Sequence, residues 1–267
     1  MNLLGHKHLL GNRASKSTAW SLINPTYAKY WNMSTTSCKY PMDIHFSSDG
    51  LKLYVAGRSY SKVVEFHLST AWDITTSTFY KELSVSAQTS NMWALDFKPD
   101  GTRLYVLDGS VDYVYQYNLS TAWKVTTASY IGRKASPADP IKFTFRPDGY
   151  ACFIINKSGY MRKYNLSTAW QITTMSYSSV YKSNSLDYGG FIFNLDGTKL
   201  FITDWDTDVV DEFSLSTAYD ITKLSLERTF NLPASWGINP YTVRISPDGL
   251  NMYIHQGDWS RILQFNL

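Results

Sequence analysis

Leu68-Ser69-Thr70-Ala71-Trp72-Asp73-Ile74-Thr75-Thr76 returns almost unchanged at residues 119–127, 166–174 and 215–223. A second marker, an Asp-Gly pair closing an alternating apolar run, stands at Asp49-Gly50, Asp100-Gly101, Asp148-Gly149, Asp196-Gly197 and Asp248-Gly249. Successive Asp residues of this marker lie 51, 48, 48 and 52 positions apart. Self-similarity at one period is the signature of a repeat architecture, in which each unit buries its apolar face against the next. Five markers give five units.

Each unit reads as four strands, which in the second unit are 93–97, 103–107, 113–117 and 128–133. They are called A to D from the inside outward. Strand A runs into Pro99-Asp100-Gly101, where Pro presets φ and Gly accepts the positive φ of a tight hairpin turn. The run Leu104-Tyr105-Val106-Leu107 is rich in strand formers, Gly109 and Ser110 break it, and Val114-Tyr115-Gln116-Tyr117 alternates again. A Ser or Thr hydroxyl of Ser120-Thr121-Ala122-Trp123 is expected to cap a short helical turn before strand D. The rings Trp72, Trp123, Trp170 and Tyr219, copied from unit to unit, are expected to pin the blades together.

The ends of the chain predict closure. The final Gln264-Phe265-Asn266-Leu267 matches Gln116-Tyr117-Asn118-Leu119 at the end of a strand C, so the last unit lacks strand D. Ser17-Thr18-Ala19-Trp20 is the motif that should follow Leu267, and 26–31 has the length and rings of the missing strand. Splicing the first strand into the last blade removes an edge that would otherwise template aggregation. The expectation is an all-β, five-bladed β-propeller of four-stranded blades over 17–267, preceded by an arm at 1–16.

The runs Phe97-Lys98-Pro99-Asp100-Gly101-Thr102-Arg103-Leu104-Tyr105-Val106 and Val114-Tyr115-Gln116-Tyr117-Asn118-Leu119-Ser120-Thr121-Ala122-Trp123 resemble propeller repeats of the YVTN and NHL type. The Ser-Thr-Ala-Trp insertion is similar to repeats of phage and marine-microbe proteins. The resemblance covers 17–267 and implies the fold. It further implies a virion component, in which the arm or the constant end docks on other virion or scaffold proteins. Propellers host enzymes, lectins and scaffolds alike, so the fold alone names no activity.

Composition narrows the field. Aromatic residues make up 16% of the chain, with 20 Tyr and 9 Trp, which suits strands and binding surfaces. The 25 basic and 22 acidic residues are scattered, leaving no basic stripe for nucleic acid. No apolar run reaches membrane-span length and 1–16 lacks a signal-peptide core, so a soluble product is expected. Cys38 and Cys152 occupy non-equivalent positions and read as packing residues, with no disulfide between them. No cofactor is expected. The run Asp204-x-Asp206-x-Asp208 starts like a calcium loop but lacks the central Gly and distal Glu, so no metal is assigned.

Positions that repeat serve the architecture, and positions that vary are free for function. The B–C loops and D–A connections share one end of the propeller, and there the units differ most. Candidate ligand or partner contacts at this end are Tyr60, Trp93, Tyr113, Tyr160, Trp205, Asp206, Trp236 and Trp259. Rings beside amides and carboxylates suit a carbohydrate, whose CH groups stack while its hydroxyls hydrogen-bond. This supports a lectin alternative resembling the tachylectin family.

Strand A offers one aligned position per blade, His45, Asp96, Thr144, Ile192 and Arg244, expected to face the central channel, with Asp96 and Arg244 pairing across it. Asp43 and Asp96 together resemble the acidic pairs of arabinanase-type and invertase-type propellers, which carries a third alternative, a glycosidase or lactonase. Lys142, Gly190 and Thr242 stand where further carboxylates would be needed. The leading expectation is a non-catalytic binding or structural module without a catalytic site.

Overall fold

Strand-forming runs of six to eight residues separated by Asp-Gly and Asx-type turns leave little choice but hairpins, and hairpins are what form. The computed structural model describes residues 19–33, 38, 40–182, 188–233, 239–257 and 260–267. The arm at 1–16 and the candidates Trp236 and Trp259 lie outside them.

The chain opens with β1 (Thr26–Asn32). The first blade is β2 (Pro41–Phe46), β3 (Lys52–Gly57), β4 (Lys62–Leu68) and β5 (Ser77–Ser84). The second is β6 (Met92–Phe97), β7 (Arg103–Asp108), β8 (Tyr113–Leu119) and β9 (Ala128–Ala135), and the third β10 (Pro140–Phe145), β11 (Ala151–Asn156), β12 (Tyr160–Leu166) and β13 (Met175–Lys182). The fourth blade follows as β14 (Tyr188–Phe193), β15 (Lys199–Asp204), β16 (Val209–Leu215) and β17 (Leu224–Asn231). Three strands complete the chain, β18 (Pro240–Ile245), β19 (Asn251–Gln256) and β20 (Arg261–Asn266).

Each sheet is antiparallel and four-stranded, and the fifth has the order β1-β20-β19-β18. Tyr27 faces Phe265 and Trp31 faces Ile262 in the register of β1 on β20. The N-terminal strand therefore completes the last blade, as the truncated final repeat predicts.

The core lies between blades rather than within one. Tyr54, Ala56 and Val63 of the first blade pack with Leu95, Leu104 and Tyr117 of the second, and Tyr253 and Ile262 of the fifth pack with Ile44, Leu53 and Phe66 of the first. Inner strands covered on both faces are buried throughout, as in β6, whereas the outer β9 is exposed along most of its length. Cys38 and Cys152 are buried free thiols in different interface layers.

The repeated ring is the pin between turns and blades. Trp20, Trp72, Trp123, Trp170 and Tyr219 all adopt positive φ between 55° and 64°. Their backbone N–H groups donate to the carbonyls of Gly249, Gly50, Gly101, Gly149 and Gly197 at 2.8–3.0 Å. A left-handed conformation costs a non-glycine residue about 1–2 kcal/mol, which burial of an indole exceeds. The ring lies so close on the turn that a Cβ on Gly101 would meet Trp123 at 2.4 Å.

The ring's carbonyl then binds the preceding blade. Tyr54 Oη donates to Trp123 O at 2.6 Å, Tyr105 Oη to Trp170 O at 2.6 Å and Tyr253 Oη to Trp72 O at 2.7 Å. Lys52 Nζ and Arg103 Nη1 join the tyrosine at Trp123 O and Trp170 O, and where the equivalent residue is Phe153 or Phe201 a lysine makes the bond without it: Lys163 Nζ reaches Tyr219 O at 3.1 Å and Lys199 Nζ reaches Trp20 O at 2.7 Å.

The expected Ser or Thr cap is corrected by the structure. The short 3-10 turns 74–76 and 221–223 are capped by the Asp after the ring, Asp73 and Asp220, and the turns at 125–127 and 172–174 have no side-chain cap. A clasp works from the far end instead: Thr127 Oγ1 donates to Lys124 O at 2.8 Å and accepts from Thr121 N–H at 3.2 Å. The hydroxyl that matters closes the turn rather than opening it.

Candidate functional site

Strand A runs from the B–C end of the propeller to the A–B turns, so successive residues mark successive depths along the axis. Near the B–C end, Met42, Trp93 and Ile141 join one buried apolar cluster, against which Trp205 and Tyr241 pack. One step deeper sits Asp43, fully enclosed. Its carboxylate accepts from Thr242 Oγ1 at 2.7 Å, from Leu95 N–H at 3.2 Å and from Arg244 Nη2 at 3.2 Å on both oxygens. Lys142 Nζ lies 3.2 Å from the same group and also donates to the Met42 carbonyl.

Burial pushes the Asp43 pKa up, but Arg244, Lys142 and the two hydrogen bonds outweigh it and hold the acid below its ordinary range. Burial drives Lys142 down to about 8 against the pull of Asp43. Burial likewise lowers His255 to about 3, and neither ring nitrogen has a hydrogen-bond partner among the described residues. The axis is therefore knotted by one fully enclosed carboxylate between two cations, Lys142 buried and Arg244 reaching the recess beyond.

Arg244 pairs with Asp43 and not with Asp96, which corrects the expected bridge across the channel. Asp96 takes Phe97 N–H at 2.9 Å, Thr144 Oγ1 at 3.1 Å and Phe145 N–H at 3.1 Å, with His45 Nδ1 3.2 Å away. Its oxygens tie two neighbouring strands together.

The five aligned strand A residues do face one space. A recess of about 370 Å³ opens at the A–B mouth, with His45, Asp96, Thr144, Ile192 and Arg244 at its floor. Its walls carry Trp72, Trp123, Trp170, Phe46, Phe97 and Phe145, and its rim carries Pro99, Pro147, Leu195 and Pro247. This volume is at the lower end of the range for small-molecule sites.

Of the described rim candidates at the B–C end, Trp93 and Trp205 share one cluster, while Tyr60, Tyr113 and Tyr160 each lie beside cations of their own blade. Trp93 is 6% exposed, lies on Gly109 and is flanked by Arg58 at 4.8 Å and Lys157 at 5.0 Å. It fills the axis instead of lining a cleft. Tyr60 is 49% exposed beside Lys62, Tyr113 packs under Arg133 at 4.2 Å, and Tyr160 lies between Arg162 and Lys182. Trp205 is half-buried against Tyr241 at 5.3 Å. Asp206 is exposed, and its N–H donates to the Asp204 carboxylate at 3.0 Å, an Asx turn repeated when Asp108 accepts from Ser110 N–H. Alternating carboxylates there shape the loop.

The recess was hidden from sequence comparison because its walls belong to the repeat. Three of the blade pins have a second face, turned to the mouth. The usable signal was the departure of strand A from its own repeat at the floor positions.

No family model matches the chain, and no curated protein does. Among solved structures the chain is similar to a Desulfotomaculum acetoxidans protein of unknown function (TM-score 0.51, 14% identity, covering 80% of this chain and 62% of that one). It is also similar to the periplasmic gluconolactonase of Pseudomonas aeruginosa (0.52, 15%, 86% and 66%) and to Kuenenia stuttgartiensis hydrazine synthase (0.50, 13%, 89% and 99%). The chain spans just under two thirds of the length of the first two. Likeness at these identities is likeness of fold alone, that of a β-propeller. Among the described residues no helix is long and apolar enough to cross a membrane, and no group of three His, Cys, Asp or Glu is placed to hold a metal ion.

Proposed function

We propose that this propeller is a binding module whose ligand enters the recess at the A–B mouth. The observation that carries this reading is the recess itself, in which aromatic and proline walls surround a floor of four polar residues. Apolar walls supply affinity and a few placed polar groups supply orientation, which is the usual division of labour in a small-molecule site. Against hydrolysis stands the state of the two carboxylates: Asp43 is sealed beneath the floor, and both oxygens of Asp96 are engaged by backbone and side-chain groups. A glycosidase acid needs to reach its substrate, so this pair is poorly placed for such work.

Membership in a virion is part of the proposal and is supported by the character of the repeats. Flanking capsid or tail genes would support it, and a neighbourhood of sugar-utilisation genes would remove it. The recess is tested by a ligand-observed NMR screen of small fragments on the wild-type protein and on Ile192→Trp, which fills the cavity from a half-buried floor position. Fragments that bind only the unfilled protein support the reading. A screen in which no fragment responds to the filled cavity ends it.

A further inference from the structure

The floor of the recess is unequal in what it offers. Arg244 is 8% exposed and spends its Nε on the Ile44 carbonyl at 2.7 Å and its Nη2 on Asp43 and the Leu95 carbonyl. Its Nη1 has no hydrogen-bond partner among the described residues, and the residue lines the recess. Beneath it, Asp43 is shared between two cations, Arg244 and Lys142. Asp43 therefore does not serve Arg244 alone, and the guanidinium keeps a charged donor for the floor. On the other side, Asp96 holds its negative charge against Phe97 N–H, Phe145 N–H, Thr144 and His45. Each of its oxygens already accepts at least one hydrogen bond.

We propose that the recess takes a small organic carboxylate, with an apolar body the size of one ring between Trp72, Trp123 and Trp170 and its carboxylate on Arg244 Nη1. The assignment rests on the recess being the binding site. A carboxylate only accepts hydrogen bonds, and the floor has a charged donor to give, while both oxygens of its one carboxylate already accept from backbone and side chain. A sugar hydroxyl wants both a donor and an acceptor, so a neutral polyol matches this floor less well. A guanidinium-to-carboxylate bond in a low-dielectric recess is about twice as strong as its neutral counterpart.

The test compares 3-phenylpropionate with 3-phenylpropan-1-ol, which share a body and differ in the charged end, with glucose as the polyol arm. Titration followed by ligand-observed NMR and tryptophan fluorescence is expected to give the acid about tenfold tighter binding than the alcohol, with no response to glucose. Ile192→Trp is expected to abolish binding of both aromatic probes. Arg244→Lys, which keeps a cation over Asp43 but loses the second donor arm, is expected to bring the acid down to the level of the alcohol.

Equal binding of acid and alcohol that Ile192→Trp still abolishes would overturn the carboxylate assignment while leaving the recess as the site. A preference for glucose would overturn it in favour of a polyol. Acid binding that survives Ile192→Trp would place the anion elsewhere and overturn both.

Discussion

Tyr253 Oη donates to the backbone carbonyl of Trp72 at 2.7 Å, joining the last blade to the first across 181 residues of sequence. The same bond at Tyr54 and Tyr105 links neighbours in sequence, so the ring closes with the device used at its ordinary joints. At the closing joint the alternative to closure is an open wedge, and loss of the bond is felt by the whole molecule.

Tyr253→Phe keeps the buried ring and removes the donor. The partly buried Trp72 carbonyl would be left without it, at an expected cost of about 1–2 kcal/mol. Urea unfolding followed by tryptophan fluorescence measures this as a lower midpoint with an unchanged slope. An unchanged midpoint would show that the bond contributes nothing net.

The splice of β1 onto β20 makes a second expectation. Trp20 N–H donates to Gly249 O at 2.8 Å, as Trp72 N–H does to Gly50 O at 3.0 Å, although the covalent link between Leu267 and the Ser-Thr-Ala-Trp motif is missing. A permuted chain that begins at Cys38, which keeps that buried side chain, and runs from Leu267 directly into Ser17 through Met33 supplies that link. It is expected to fold to the same structure with a melting temperature within a few degrees of the parent. Aggregation of the permuted chain, with the parent soluble, would mean that 17–33 does not belong where the repeat places it.

The fold was legible because it is written five times. The Asp-Gly spacing gave the number of blades, and Gln264-Phe265-Asn266-Leu267 showed where the chain stops within its repeat. The site was less legible for the same reason. Trp72, Trp123 and Trp170 repeat, so they read as architecture, yet they form the wall of the recess. Trp93 varies between units and so reads as functional, yet the small Gly109 lets its indole lie flat and buried. A ring beside a turn has the same sequence signature whether it faces inward or outward, because its direction is set by neighbours from another blade. Arg244 was placed on the axis correctly and given the wrong partner. Asp43 and Asp96 differ in depth by two residues of strand, and one-dimensional alignment does not say which of them the guanidinium turns toward.

Gly101 tests how closely turn and pin are fitted. Its φ is +73° and an added Cβ would meet three atoms of the Trp123 ring at 2.4 Å. Gly101→Ala therefore strains the backbone and displaces the indole together, at an expected cost of about 2–4 kcal/mol. Because Trp123 also lines the recess, the variant should show altered tryptophan emission in the folded state as well as a lower urea midpoint. A folded-state spectrum identical to wild type would mean that the ring absorbs the methyl group without moving.

His255 predicts the acid limb of stability. The ring is fully enclosed, stacks 6.3 Å from Tyr241, and faces Lys142 and Asp43. Burial, helped by the charge on Lys142, lowers its pKa from 6.5 to about 3, and the negative charge of Asp43 recovers only part of that loss. The unfolded chain therefore binds a proton near pH 6.5 that the folded chain refuses until near pH 3. Stability from the neutral ring is complete above pH 6.5 and is lost as pH falls through that window, at up to ~1.4 kcal/mol per pH unit. Asp43 acts in the same direction but later, since its lowered pKa defers protonation of the folded state below the usual carboxylate range. His255→Phe keeps a ring in the space and removes two nitrogens that have no hydrogen-bond partner among the described residues. It is expected to match wild type at pH 7 to within about 1 kcal/mol and to show a shallower fall in urea midpoint between pH 6.5 and 4.5. Parallel curves for the two proteins across that interval would mean that the buried imidazole does not govern the acid limb.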